Sequence, residues 1–357
     1  MKMVNKILII ALVFLSTGLF AGNEDRAGEA GASQLLINPW ARSSGLAGSN
    51  TANVRGLEAM SLNVAGLSFL TNTEVNMSYT SWLSGTDINI FNFGIGQKVG
   101  ESGVLGITFT SVNFGDLEIT TVDLPDGGIG NFNPNYFNVG IGYSKKFSNS
   151  ISGGLVVRLV TENTASVNAS GVGIDAGVNY TTGDNDAFKF GITLRNVGPT
   201  MKYSGNGLAT RADIQNSDKS LTLNQRSNSY ELPSLVNIGM SYDFFLTEVE
   251  ETEDGGYFAE HRVTGSGTFT SNSFTKDQIR IGAEYAFQEK FMARFGYVFE
   301  SDTQDDIDAT TTSVGPTFGA TIEVPMGKSG SMFGLDYSYR VTRTFNGSNA
   351  IGVRLTF

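Results

Sequence analysis

Large apolar residues alternate with small or polar residues along most of the chain after residue 70. In one stretch, Phe137, Val139, Ile141 and Tyr143 alternate with Asn138, Gly140 and Gly142. Successive side chains of a β-strand point to opposite faces, so this order places every large apolar group on one face. The pattern therefore predicts strands and not helices.

The same alternation returns at intervals until the end of the chain. It covers residues 172–180, 188–195, 236–244, 279–287, 291–299, 314–322, 333–339 and 351–357, with Asp243, Glu284, Arg294, Asp336 and Arg354 on the opposite face. A water-soluble sandwich of two sheets would also alternate. However, segments of about ten residues are long enough for a tilted strand to cross a bilayer. A second face of Gly, Asp, Asn and Arg is typical of a barrel interior. We therefore predict an all-β protein, a transmembrane antiparallel β-barrel.

Counting the segments gives about 14 strands and a topology. We predict them near residues 74–82, 87–97, 102–112, 136–147, 151–161, 171–181, 187–196, 235–246, 257–269, 278–288, 291–300, 313–324, 331–342 and 349–357. Short connections alternate with long ones such as residues 113–135 and 197–234. Outer-membrane barrels keep short turns in the periplasm and long loops outside. The first strand is therefore expected to run outward, with both ends of the chain in the periplasm.

The first 21 residues have the pattern of an export signal. Lys2 and Lys6 precede an apolar run from Ile7 to Leu15, and small residues up to Ala21 suggest cleavage after that position. We predict a signal peptide over residues 1–21. No later stretch approaches the roughly 20 apolar residues that a membrane-spanning helix needs, so strands must make any crossing.

Residues 22–70 do not follow the strand pattern, and we assign residues 71–357 to the barrel. The segment is mostly small and polar with scattered apolar anchors, so it cannot face lipid and must lie in the periplasm or inside the barrel. We predict an internal plug, with a disordered periplasmic tail as the alternative. Its candidate residues are Asn38, Pro39, Trp40, Arg42, Arg55, Glu58 and Asn63. Because enclosed charges need partners, Arg42 and Arg55 should pair with interior carboxylates such as Asp175, Asp243 or Asp336.

The composition of the chain excludes several kinds of binding and catalytic site. The chain has no Cys, which removes disulfides and thiolate metal sites, and its single His261 excludes zinc sites with two His ligands. The formal net charge of −11 argues against nucleic-acid binding, which needs clustered Lys and Arg. We predict no catalytic residues, no metal and no cofactor, and we do not expect an enzyme.

Short motifs in the N-terminal segment resemble a known family. Gly31-Ala32-Ser33-Gln34-Leu35-Leu36-Ile37, Ala41-Arg42-Ser43-Ser44-Gly45, Gly48-Ser49-Asn50-Thr51-Ala52 and Asn63-Val64-Ala65-Gly66-Leu67 resemble the hatch of the PorV/PorQ family of Bacteroidota, relatives of the FadL transporters. In that superfamily the last motif usually has Pro where this chain has Val64.

The resemblance implies an outer-membrane component of the type IX secretion system. Its expected partners are secretion-system proteins or secreted cargo domains at the cell surface, outer-membrane lipid, and the barrel assembly machinery. The final strand, which ends at Phe357, looks like the segment that this machinery recognises. Nucleic acid is not an expected partner.

Two functions remain open from the sequence. A FadL-like channel for hydrophobic small molecules needs an apolar pocket beside the plug and a lateral gap in the wall. A secretion component needs an outer surface that holds a protein partner. The predicted outer loop 113–135 is apolar for an exposed segment, and Phe114, Leu117 and Ile119 are our candidate partner-binding residues.

Overall fold

The computed structural model describes residues 26–213, 218–252, 256–300, 311–327, 330–342 and 345–357. The predicted signal peptide, residues 1–21, lies outside the described residues. Within them, no helix is long and apolar enough to cross a membrane.

Fourteen antiparallel strands of the described chain close into a barrel. They are β1 (Thr73–Trp82), β2 (Ile88–Val99), β3 (Gly103–Asn113), β4 (Asn135–Lys146), β5 (Ile151–Thr164), β6 (Val167–Thr182), β7 (Phe188–Val197), β8 (Leu235–Phe245), β9 (His261–Asn272), β10 (Gln278–Phe287), β11 (Phe291–Glu300), β12 (Gly315–Met326), β13 (Ser331–Arg340) and β14 (Ser348–Thr356). Each strand pairs with its neighbours in sequence, and β1 pairs with β14 from Glu74 opposite Thr356 to Ser81 opposite Asn349. Closure leaves no strand edge unpaired, as a membrane-spanning sheet requires.

The two faces of the wall follow the sequence alternation. The outward-facing side chains of Ile141 and Ile281 are 56% and 45% exposed, whereas the inward-facing Asn138 and Glu284 are buried. The predicted all-β barrel of about 14 strands is confirmed. The largest difference in strand length concerns β5 and β6, which continue past their predicted ends to a two-residue turn at Ala165 and Ser166.

The extension of β5 and β6 has a packing reason. Ala169, in the added part of β6, and Val160, next to the predicted end of β5, form a small buried apolar cluster with Ala32, Leu35, Met201 and Leu232. The extra ladder therefore covers apolar groups that come from the N-terminal part and from a distant loop. Neither contribution is visible in the local pattern of the two strands.

The two ends of the barrel differ. The turn end carries short connections such as residues 100–102, 147–150 and 288–290, and the loop end carries residues 114–134 and 198–234. The loop end includes the short pairs Leu117–Glu118 with Asn131–Phe132, Met201–Lys202 with Ser229–Tyr230, and Ala209–Asp213 with Ser220–Asn224, and the 3₁₀ turn Asn206–Leu208. The turn end includes the pair Val249–Glu251 with Tyr257–Ala259 and the 3₁₀ turn Asp184–Asp186.

Residues 26–70, the N-terminal segment, lie inside the barrel. They form the helices α1 (Ala41–Gly45) and α2 (Ala59–Leu62) and the 3₁₀ turns Ser33–Leu36, Gly56–Glu58 and Val64–Phe69. Their apolar side chains make a buried cluster with inward-facing residues of β3 and β5, which includes Trp40, Val54, Leu57, Ala59, Met60, Leu62, Val64, Leu67, Leu70, Val104 and Val156.

The N-terminal segment runs through the barrel from the loop end to the turn end. Near its start, the Gly31 N–H donates to the Glu231 carbonyl at the loop end, with a distance of 3.0 Å. Near its finish, the Lys98 N–H donates to the carbonyl of Asn72 at the turn end, at 2.9 Å. The prediction that both ends of the chain lie on one side is therefore wrong for the first described residues. The segment has buried apolar side chains along its whole length, and they find packing partners only if the segment extends through the barrel from one end to the other.

Candidate functional site

Residues Asn38, Pro39 and Trp40 lead the chain into α1. The side chain of Trp40 is fully buried, and its Nε1–H donates to the hydroxyl oxygen of Ser61 in α2 at 3.1 Å. The backbone N–H of Trp40 donates to Asn38 Oδ1 at 3.2 Å, and Pro39 is buried between them. This group joins the two helices of the N-terminal segment.

Glu58 is a buried carboxylate between α1 and α2. The Ser43 N–H donates to its Oε2 at 3.1 Å, and the Ser43 hydroxyl donates to the same oxygen. Burial raises the pKa of Glu58 to about 6, although the charge of Arg42 opposes this shift. The side chain of Glu58 therefore connects the two helices, and its protonation changes near pH 6.

Asn63 ties the N-terminal segment to the wall. Its Nδ2 donates to the carbonyls of Thr51 and of Val178 in β6, both at 3.1 Å, and its Oδ1 accepts from the Ala65 N–H at 3.2 Å. A Cβ at Gly177 of β6 would lie 2.1 Å from Asn63 Oδ1, so only glycine allows this approach. Gly66 has a similar role, since a Cβ there would lie 2.1 Å from the Val54 carbonyl oxygen.

Side chains of the wall satisfy backbone carbonyls of the N-terminal segment. The donors are Ser144 to Ala65 at 3.1 Å, Arg158 to Met60 at 3.0 Å, Arg195 to Leu35 at 3.1 Å, Thr268 to Ser49 at 2.8 Å, Thr317 to Gly45 at 3.0 Å, and Asn179 to Ala52. Each bond contributes about 1 kcal/mol and spares a buried carbonyl from losing its partner. These donors were not among the residues predicted from the sequence. Their inward positions in alternating strands were the feature that could have revealed them.

The predicted pairing of Arg42 and Arg55 with Asp175, Asp243 or Asp336 is wrong. Asp175 pairs with Arg158 of the adjacent strand at 2.9 Å. Asp243 pairs with Lys189 and with Arg262, and Asp336 accepts from the Thr321 hydroxyl. Neighbouring strands lie about 5 Å apart, so an interior acid reaches a base on the wall before it reaches the segment.

A second junction lies at the loop end around the carboxylate of Glu162 in β5. Gln34 Nε2 donates to its Oε1 at 3.0 Å, while the hydroxyls of Tyr203 and Tyr230 donate to its Oε2 at 2.5 and 2.7 Å. Burial, together with the bond to Glu162, raises the pKa of both tyrosines. Glu162 thus joins the N-terminal segment, the wall and the loop 198–234.

The predicted partner-binding residues lie at the loop end with different exposure. Leu117 and Ile119 are 45% and 37% exposed. Phe114 is half-buried and packs edge-on against Tyr136, with ring centroids 4.8 Å apart. The same loop exposes Val122, Leu124 and Ile129, and another hairpin of the loop end exposes Leu221 and Leu223. Two of the three predicted residues are therefore free to contact a partner.

The cavities at the turn end are lined mainly by charged and polar groups. One of about 980 Å³ is bordered by Arg42, Arg55, Lys189, Asp243, Arg262, Glu284 and Glu289, among others. An adjoining one of about 520 Å³ shares Phe69 and Lys146 with it. A smaller cavity of about 110 Å³ lies at the loop end beside Leu36 and Phe274. The two turn-end cavities therefore differ from the apolar pocket that a hydrophobic passage requires.

Comparisons with known proteins give one family and one fold. The family model described as "Type IX secretion system protein PorV" matches residues 20–253. No curated protein matches the chain in sequence. Among solved structures, the chain is similar to the CymD monoaromatic hydrocarbon channel, with 11% identity, a TM-score of 0.53, and coverage of 90% of this chain and 97% of that one. It is also similar to the Pseudomonas putida toluene transporter TodX, with 13% identity, a TM-score of 0.54, and coverage of 89% and 97%. At these identities the likeness concerns the fold alone.

Proposed function

The chain belongs to the PorV family of type IX secretion system proteins, and we propose that it binds secreted cargo domains or translocon proteins through its outer loops. As a member of this family it is an outer-membrane β-barrel component of the secretion system, and it works with other components of that system. The proposal assigns no catalytic step to the chain.

The observation that carries the proposal is the apolar surface of the loop 114–134. Leu117, Ile119, Val122, Leu124 and Ile129 are exposed there, in a protein whose other exposed apolar residues face mainly outward from the barrel wall. Asp116, Glu118, Asp123 and Asp126 alternate with them in sequence. A mixed surface of this kind stays soluble alone and buries an apolar centre within a polar rim against a partner.

The N-terminal segment has a different role in the proposal. It acts as a plug that closes the barrel, with Asn38, Pro39, Trp40, Arg42, Arg55, Glu58 and Asn63 within it. The support is its buried apolar cluster and the wall donors that satisfy its carbonyls. In this arrangement the outer loops hold the partner while the N-terminal segment keeps the barrel closed.

Replacing Leu117 and Ile119 with Ser tests the partner role. We expect the barrel to assemble normally and co-purification of cargo or translocon subunits from the cell surface to be lost, measured by pull-down with mass spectrometry. Phe114→Ser is tested separately, because its packing against Tyr136 also positions the loop. Leu246→Ser is the matched control, since this leucine is 62% exposed and lies at the turn end. Unchanged partner recovery from the double variant would contradict the proposal.

A channel for hydrophobic small molecules is the second candidate, and the fold it shares with hydrocarbon channels favours it. The charged lining of the turn-end cavity speaks against it. Uptake of a long-chain apolar compound is measured on the same Leu117→Ser, Ile119→Ser variant. Loss of uptake with partner recovery intact would replace the secretion role by the channel role.

A further inference from the structure

Two cations share one aromatic ring at the turn end of the barrel. The Arg55 Cζ lies 4.9 Å from the centroid of the Phe69 ring, and the Lys146 Nζ lies 4.7 Å from the same centroid. Arg55 directly precedes the 3₁₀ turn Gly56–Glu58, and Lys146 is the last residue of β4. We name Arg55, Phe69 and Lys146 the Phe69 site.

The cations of the Phe69 site have no ion pair among the described residues. Three of the acids that line the same cavity are engaged in ion pairs: Glu289 with Arg262 at 2.6 Å, Glu284 with Arg294 at 2.6 Å, and Asp243 with Lys189 and Arg262. The carboxylate of Glu58 accepts hydrogen bonds from Ser43, and Asp186 and Glu251 also line the cavity. Lys98 places a further positive charge near Lys146, and Asp186 is an acid near enough to attract the ammonium of Lys146. The Phe69 site is thus a local excess of positive charge in a protein with a formal net charge of −11.

The chemistry of the two cations suits a carboxylate. A guanidinium that packs on an aromatic ring keeps its N–H donors available for a bidentate bond to a carboxylate, and an ammonium beside it adds further donors. The ring provides the cation–π attraction that orients both side chains before a ligand arrives. A carboxylate bound here would receive charge-assisted hydrogen bonds, the stronger class of such bonds.

The surroundings favour a peptide over a lipid. Arg55, Phe69 and Lys146 line the cavity of about 980 Å³, and Phe69 and Lys146 also line the one of about 520 Å³, so an extended chain has room beside the Phe69 site. This cavity is lined by inward-facing wall groups such as Lys189 and Glu284 and by turn residues such as Ser148, so it opens at the turn end and not onto the lipid-facing surface. The turn end of an outer-membrane barrel faces the periplasm.

We propose that the Phe69 site binds a carboxylate of a peptide segment that belongs to a periplasmic protein. The carboxylate is either an Asp or Glu side chain or the C-terminal group of that segment. The inference concerns the end of the barrel opposite to the loops in the proposed function, so either one can fail without the other.

Calorimetric titration of the full-length protein in phosphatidylcholine nanodiscs tests this site. The first probe is an amidated hexapeptide of alternating Asp and Gly, the second is an Asn and Gly hexapeptide with a free C-terminal carboxylate, and the amidated form of the second is the blank. Binding of the first, the second or both, and not of the blank, identifies the source of the carboxylate. Failure of both carboxylate peptides to bind would overturn the proposal.

Substitutions at Arg55 and Lys146 test whether the peptide binds at the Phe69 site. We expect Arg55→Gln and Lys146→Gln each to raise the dissociation constant of the peptide about tenfold or more, which is the usual effect of losing one charge-assisted hydrogen bond. Lys145→Gln is the matched control, because Lys145 is the adjacent residue on the outward face and loses the same charge. Arg55→Lys keeps the charge without the planar donor fork, and it should bind with intermediate affinity. Equal weakening by Lys145→Gln and Lys146→Gln would mean general attraction and would overturn the site. Heat-modifiable gel mobility verifies that each variant is folded, and Lys146→Gln alone suffices if Arg55→Gln fails to assemble.

Discussion

The barrel wall and the N-terminal segment inside it are stabilised in different ways. In the wall, each strand satisfies its backbone groups on two neighbouring strands, and a side chain contributes according to the face it occupies. In the N-terminal segment, short helical turns leave many carbonyls without a partner, and wall side chains from β4 to β12 supply the donors. The wall is thus defined by a local repeat, and the segment by contacts that only a closed barrel can offer.

Removing residues 28–60 gives the sharpest test of this difference. If the wall is self-sufficient and the segment fills it, the shortened protein should still assemble and should open a measurable conductance in planar bilayers. The intact protein serves as the closed reference. A shortened protein that inserts but remains electrically silent would mean that the segment does not block the interior.

Arg158→Leu should weaken both regions at once. It leaves the carboxylate of Asp175 buried without its cation and removes the donor to the Met60 carbonyl. The loss of one partner of a buried pair costs about 3–5 kcal/mol. Urea unfolding in detergent, followed by gel mobility, measures this cost. Arg26→Leu removes an arginine from two solvent-exposed ion pairs, with Glu29 and Glu231, and is the control with an expected small effect. Similar losses for both variants would contradict the importance of the buried pair.

Ile141→Arg should weaken the wall and leave the contacts of the N-terminal segment in place. Ile141 faces outward, and a cation facing the middle of the bilayer costs about 2–4 kcal/mol. Assembly is measured by heat-modifiable gel mobility. Gly173→Ala is the inward-facing control, because its new Cβ would meet Leu232 at an ordinary 3.5 Å. If the control variant assembled as poorly as Ile141→Arg, the assignment of the two faces would be wrong.

Glu58→Gln should change how the stability of the N-terminal segment depends on pH. We expect the smallest effect of the four changes from this substitution. The folded protein raises the pKa of Glu58 from 4.5 to about 6, so it holds this proton more tightly than the unfolded chain. The proton on Glu58 therefore makes its full contribution to the free energy of unfolding below about pH 4.5. This contribution is lost as the pH rises through about 6. The shift corresponds to about 2 kcal/mol at most.

Proteolytic release of the N-terminal segment between pH 4 and 8 measures this dependence. The protein with Glu58 should become easier to cleave as the pH rises, and the Glu58→Gln variant should lose this component of the change. Glu101→Gln, at an exposed acid of the turn end, is the control that should keep it. An identical pH profile for Glu58→Gln and the unmodified protein would contradict the role of this carboxylate.

Most of the wall was predictable because its information is local. The order from Phe137 to Tyr143 defines a strand and its two faces without reference to any other part of the chain. The turn between β5 and β6 was not predictable in this way. Its position depends on Met201 and Leu232, which come from a loop more than thirty residues away in sequence.

The sequence by itself determined the number, order and faces of the strands, because alternation with period two is a property of consecutive residues. It also showed that residues 22–70 cannot face lipid, since their composition is too polar. Only the tertiary structure decided which charges pair, which end of the barrel holds residue 31, and that Arg55 and Lys146 meet at the ring of Phe69. These outcomes depend on the distances between side chains from remote parts of the chain, and closure of the barrel sets those distances.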